Sequence, residues 1–313
     1  PGYVLTSDAN GVGSWTNPTS TFYIQGGTTY SFDTTSAIYR TGSLNIGTGT
    51  ISNSRFVVSS SGGTVSLVVT ENGSVYNRGG GNIDSNLAFG SGALINNVTG
   101  LANVAIGLSS SIANITGFSN VGIGANTLLS STNSTYNVAI GSSSLYNNTT
   151  GTQNMAIGAF SLYSNQGGNR NTAIGVSAMQ NNNSGEYNTA IGNFSGYFIS
   201  NASNNILIGH QSGSGITTGS SNVIVASTGF AAAGGGISVG SNNLIIAQNN
   251  GNTTGITSGS NNTIVGKVSG LAAGLTASVI ISNGSGNTRF YSDVDGKTTI
   301  SDTLYNTSFV SNL

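Results

Sequence analysis

The feature that most constrains this chain is a five-residue word, N-x-A-I-G with variants, that returns every 17 residues. Its Asn stands at Asn86, Asn103, Asn120, Asn137, Asn154, Asn171, Asn188, Asn205 and Asn222, eight equal intervals without an insertion. The third position reads Ala88, Ala105, Gly122, Ala139, Ala156, Ala173 and Ala190, then widens to Leu207 and Ile224. The fourth runs from Phe89 through Ile106, Ile123, Ile140, Ile157, Ile174, Ile191 and Ile208 to Val225, and Gly closes each word from Gly90 to Gly209. A fixed period of this length means stacked units, not an ordinary globular domain.

Within a word the small residues fall on one parity and the branched apolar ones on the other, which is the period of a β-strand. A second apolar position follows the Gly, at Leu94, Ile112, Leu128, Leu145, Leu162, Met179 and Tyr197. Loops such as Asn147-Asn148-Thr149-Thr150-Gly151 carry turn chemistry. Each unit therefore reads as two short strands and two turns, one coil of a parallel β-solenoid. A single coil cannot bury its own apolar face, but stacked coils can. At about 4.8 Å per coil the regular array spans roughly 40 Å. The Asn repeated in every coil predicts a ladder of side-chain amides, a structural role that needs no ligand.

Outside the regular array the word loosens but persists. It returns as Gly240-Ser241-Asn242-Asn243-Leu244 and Gly259-Ser260-Asn261-Asn262-Thr263, now 21 and 19 residues apart, and Val279-Ile280-Ile281 reads as one further coil. Small-residue runs at 231–236 and 270–274 read as enlarged loops. Phe56-Val57-Val58 and Val65-Ser66-Leu67-Val68-Val69 read as strands ahead of the array, with a turn at 71–74. The predicted organisation is a β-rich connector over 1–80, regular coils over 81–226, degenerate coils with longer loops over 227–288, and a β cap over 289–313.

Composition narrows the function. Gly is 48 of 313 residues and charged residues only 5%, against roughly 25% in a typical domain. Hydrophobic residues still reach 36%, in register, which opposes disorder. Seven Lys and Arg, mostly outside the array (Arg40, Arg55, Arg78, Arg289, Lys297), make no basic stripe, so nucleic acid is not an expected partner. No apolar run approaches the roughly 20 residues of a membrane span. Without cysteine there is no disulfide or thiolate site.

Catalytic groups are scarce. Paired-carboxylate chemistry needs two acids held about 5–10 Å apart, yet between Asn86 and Asn287 the only acid is Glu186. Glu71 and Asp84 are isolated, and Asp293, Asp295 and Asp302 read as a solvated turn rather than a Ca²⁺ site. His210, the single histidine, makes no metal site, and no Gly-Lys-Ser/Thr follows the Gly-rich words. Sequons at Asn97, Asn148 and Asn201 follow from the composition. The reading is a non-enzyme without cofactors. Tyr146, Tyr163 and Tyr197 share one offset and predict an aromatic column, which suits either packing or a glycan-binding platform.

The words N-x-A-I-G and S-N-N-x-I resemble the head repeats of trimeric autotransporter adhesins. The longer form AIGxxSLYxNxxGxxN, clearest over 139–154 and 156–171, is similar to repeats of phage and other virus tail-fibre proteins. The opening stretch from Gly2 to Gly11, with Trp15, resembles a segment common in such fibres. The resemblance implies left-handed parallel β-rolls assembled as an elongated homotrimer. It further implies a virion or extracellular setting, neighbouring fibre proteins at the N-terminal end, and a glycan or protein receptor. Neither heptads nor the adhesins' membrane anchor are visible. Pro1 in place of Met suggests a processed piece, and Leu313 is a candidate product of the self-cleavage that ends many such fibres. Rival readings are a monomeric solenoid that binds ice or glycan, and a glycan depolymerase with a site between subunits. Ice binding calls for a rank of exposed Thr, whereas here Thr sits mostly in loops.

Overall fold

A computed structural model describes residues 83, 85–226, 240–247, 258–266, 271–272, 274–282 and 288–300, together with the backbone of five strands nearer the N-terminus. Glu71, Asp84, Asp302, Arg40, Arg55, Arg78, the turn at 71–74, the loop 231–236 and the Trp15 side chain lie outside the described residues. The chain divides into two compact units, 1–50 and 51–313. In the first, β1 (Val4–Ser7) and β2 (Gly13–Thr16) pair antiparallel.

The second unit holds two sheets. One is an antiparallel meander of β3 (Phe56–Ser59), β4 (Val65–Val69) and β5 (Val75–Tyr76). The other contains fourteen strands. It opens with β6 (Leu87–Phe89), β7 (Val104–Ile106), β8 (Val121–Ile123), β9 (Val138–Ile140), β10 (Met155–Ile157) and β11 (Thr172–Ile174). It continues through β12 (Thr189–Ile191), β13 (Ile206–Ile208), β14 (Val223–Ala226), β15 (Leu244–Ala247), β16 (Thr263–Val265) and β17 (Val279–Ser282). These twelve pair parallel in chain order, like residue against like, as in Ala156 beside Ala173. The strands β18 (Thr288–Ser292) and β19 (Thr298–Ile300) then turn back antiparallel. Among the described residues there is no helix. The array is a parallel β-solenoid.

Each coil contains one regular strand, not two. The remaining sides are still bonded coil to coil, but through turns. In one coil Leu145, Asn147 and Thr149 donate backbone N–H groups to Ser161, Tyr163 and Gln166 of the next, at 3.0, 3.0 and 3.1 Å. The corners are made by residues with positive φ that are not glycine: Ser143, Leu145 and Gln153 have φ of 56, 50 and 58°. A left-handed residue with a side chain costs about 1 kcal/mol, and the inter-coil bonds on both sides hold it there. The closing Gly is needed twice over. Gly158 has φ of 128°, and a Cβ added to it would meet Gly175 O at 2.5 Å.

The core is thin. Ala88, Ala105, Ala139, Ala156, Ala173 and Ala190 point inward from the strands, opposite buried Leu94, Leu128, Leu145, Leu162 and Met179. In three further coils the inward position is Ser111, Gly196 or Gly213, and Ile112 and Tyr197, one residue after the first two, are only half-buried. A narrow coil takes Ala on the strand because a larger residue would leave no room for Leu opposite. The Ile of the word lies on the outside.

Candidate binding surfaces

The nine repeated Asn residues, with Asn243 and Asn262 after them, are buried in the solenoid wall. Each uses both ends of its amide. Asn154 Oδ1 accepts the backbone N–H of Asn171 at 3.0 Å, and Asn154 Nδ2 donates to Gly168 O at 2.8 Å. Contact between the amides is longer, 3.2 Å from Asn171 Nδ2 to Asn154 Oδ1. The side chain thus clips backbone to backbone within and between coils. Its end is capped at Ser278, whose N–H reaches Asn262 Oδ1 at 3.1 Å.

A second amide column lies in what reads from sequence as loop. Asn165 Nδ2 donates to Asn148 Oδ1 at 2.7 Å and Asn182 Nδ2 to Asn165 Oδ1 at 2.8 Å, all three side chains fully buried. Asn97 and Asn114 form the same pair at 2.7 Å. Ser131 and Ile199 interrupt the column, and at each break the last oxygen, Asn114 Oδ1 or Asn182 Oδ1, has no partner. Two of the sequon asparagines, Asn97 and Asn148, are therefore interior residues. The signal for this column was the 17-residue recurrence of Asn148, Asn165 and Asn182 itself.

The outward face of the parallel strands is apolar along its length. Its second column runs from Phe89 on β6 to Ile281 on β17 and is Ile or Val on every strand between. Each of these is exposed or half-buried, reaching 45% at Ile246. The neighbouring column adds Met155, Ile206, Leu244 and Val279. Twelve strands at about 4.8 Å and a width near 10 Å make a strip of roughly 500 Å², as large as the largest apolar patches of ordinary monomers, which are often functional.

Two aromatic clusters lie on a flank of the solenoid outside the strands, apart from the edge-on pair Phe118 and Tyr136 at 5.1 Å. Tyr146 and Tyr163 stack with centroids 4.9 Å apart and planes 22° apart, and Phe160 leans on Tyr163 at 5.8 Å. Tyr197 joins Phe194 at 5.6 Å and Phe198 at 4.7 Å, with His210 edge-on to Phe194 at 6.4 Å. The three tyrosines thus share a column but not one ring stack. Phe160, Phe194 and Phe198 are exposed members that the tyrosine spacing alone does not reveal.

Charge is sparse. Arg170 lies over the Tyr187 ring at 5.2 Å, its Nε donating to Gln153 Oε1 at 2.8 Å, and Glu186 Oε1 accepts from Asn169 Nδ2 at 2.8 Å. Asp293 Oδ1 accepts the N–H groups of Asp295 and Lys297, at 3.1 and 2.8 Å, so this carboxylate shapes the β18–β19 turn. Among the described residues no three His, Cys, Asp or Glu side chains group as metal ligands, and no helix is long and apolar enough to cross a membrane. No family model, curated protein or solved structure matches this chain.

Proposed function

We propose that the chain is a non-catalytic structural segment of a trimeric surface or virion fibre, whose solenoids associate through the outward face of their parallel strands. The observation that carries this reading is the apolar column from Phe89 to Ile281, left facing solvent by a single chain. Cyclic symmetry about an axis along the stack sets each coil against its own copies, so one favourable contact repeats at every level. The resemblance to tail-fibre and adhesin repeats supports three copies rather than two. Light scattering tests it: the expected mass is three times the 31.3 kDa of one chain. Replacing Ile140, Ile157 and Ile174 together by Asp should return a single-chain mass with the β spectrum retained. A wild-type chain that stays monomeric at every concentration refutes the assembly.

The aromatic flank supports an attachment role for the same fibre. Stacked Tyr146 and Tyr163 with exposed Phe160 offer flat apolar faces of the kind that sugar rings pack against.

A further inference from the structure

The aromatic flank from Tyr146 to Tyr197 is interrupted at a single level. Phe160 and Tyr163 stand in one coil, and Phe194 and Tyr197 stand two coils later at equivalent positions. The coil between carries Ser177 and Gln180 there instead. The two Phe–Tyr pairs have the same geometry, with centroids 5.8 and 5.6 Å apart and planes at 54 and 53°. Their corners match as well, with φ of 58, 55 and 57° at Phe160, Ser177 and Phe194. All three side chains therefore leave the backbone in the same direction, and the middle one is short. Backbone bonds run unbroken through this level: Ser164 N–H donates to Gln180 O at 2.9 Å, and Asn181 N–H to Tyr197 O at 3.2 Å. The coils are thus held at their normal spacing and cannot close up. What remains is a slot with one aromatic pair on each side and a small polar floor.

Taking the aromatic flank as an attachment surface, we propose that this slot holds one neutral sugar ring, inserted edge-first between Tyr163 and Tyr197. Two coil heights put the walls about 10 Å apart, so a ring midway lies about 5 Å from each, the distance at which flat rings pack. The floor decides between a sugar and an aromatic side chain. Ser177 is only 6% exposed, and neither its hydroxyl nor the half-buried Gln180 amide has a hydrogen-bond partner among the described residues. Polar groups sealed from water without partners are costly. Sugar hydroxyls satisfy them, whereas a phenyl ring would only cover them. The two charged side chains of the regular array are engaged elsewhere, Arg170 with Gln153 and Glu186 with Asn169, so nothing in the slot calls for an acidic sugar. Packing on both faces also selects stereochemistry. An all-equatorial pyranose, such as a β-glucoside, shows C–H groups on both faces, while the axial hydroxyl of a galactoside or mannoside spoils one of them.

Methyl β-glucoside, methyl β-galactoside, methyl α-mannoside and p-cresol are titrated against the full-length chain, with saturation transfer to each read by NMR. The glucoside is expected to bind best. Gln180→Tyr fills the slot with the residue that Tyr163 and Tyr197 place on either side of it. It should weaken glucoside binding at least about tenfold, by closing both ring contacts, with the β spectrum kept. Gln180→Leu keeps the size and removes the amide, and should weaken binding about three- to tenfold. If Gln180→Tyr binds as well as wild type or tighter, the sugar lies across the outer aromatic faces; the attachment reading then stands and the slot falls. Preference for p-cresol, the galactoside or the mannoside overturns the slot as well. Silence from all four also overturns it, while a glycan array decides the attachment reading separately.

Discussion

Ile199 occupies the interior space that Gly196 leaves open: a Cβ added to Gly196 would lie 3.0 Å from Ile199 Cδ1 and 2.9 Å from Leu207 Cδ1. One coil earlier the same two positions are Met179 and Asn182, and before that Leu162 and Asn165. One coil later they are Gly213 and Ile216. Bulk has moved from one side of the thin core to the other, and the second amide column stops where it does so. This coupling predicts that Gly196→Leu and Ile199→Asn each destabilise, while the double variant recovers part of the loss, Leu207 still crowding the new side chain. Coupling of about 0.5–3 kcal/mol is expected from chemical denaturation of the four proteins, and additive effects would contradict the exchange.

Asn154→Leu removes the acceptor for the Asn171 N–H and the donor for the Gly168 carbonyl, both inside the wall. Two orphaned backbone groups at about 1–3 kcal/mol each make this one of the most damaging single changes in the array. Asn183→Ala, at an exposed site, should stay within about 0.5 kcal/mol of wild type. Denaturation midpoints of the pair check the contrast.

Adjacent glycines should respond oppositely to alanine. At Gly168 a Cβ would stand 2.4 Å from Gly185 O and 2.5 Å from Asn165 Oδ1, whereas at Gly167 the nearest atom is Thr150 Oγ1 at 3.5 Å. Gly168→Ala should cost about 1–3 kcal/mol or more through overpacking. Gly167→Ala should be close to neutral in the same thermal melt.

Excising residues 155–171 removes one whole coil and joins Asn154 to Thr172, a junction that keeps every column. Because stability in such arrays is a sum over neighbours, the shortened chain should fold with a melting temperature within a few degrees of wild type. Deleting Ser164 alone shifts every later residue by one and turns strand faces inside out. Circular dichroism and melting should show this single deletion to be the worse of the two.

If the aromatic flank carries attachment, Tyr163→Ala should weaken binding to any glycan found on an array by about three- to tenfold, the scale of one aromatic contact. Tyr136→Ala, which edges against Phe118, should leave binding unchanged. Equal loss in both variants would place the sugar elsewhere.

The period and the strand parity are legible in the sequence because each coil makes the same demands on its neighbours. Other features are hidden for physical reasons. Positive φ is usually announced by Gly or Asn, but here Leu162, Phe160, Arg170 and Tyr187 adopt it, since bonds to the coils on either side, not local preference, impose the corner. A second strand per coil is therefore expected where a turn occurs. The buried column at Asn148 and Asn165 is masked because runs of Asn, Thr and Gly ordinarily mean a solvated loop. Alternation separates Ala from Ile without saying which faces inward; that follows only from the small cross-section the 17-residue coil can enclose.

The Asn column has a polarity. The oxygen of each Asn is aimed at the N–H of the Asn one coil later, as Asn137 Oδ1 is at Asn154 and Asn154 Oδ1 at Asn171, never the reverse. Synthesis also runs from the N-terminus, so every coil that emerges finds a finished template beneath it, with an acceptor already positioned for its first amide. Growth in that direction adds one layer to a prepared surface at a time, as a crystal does once seeded. The costly nucleus then falls to the earliest coils alone.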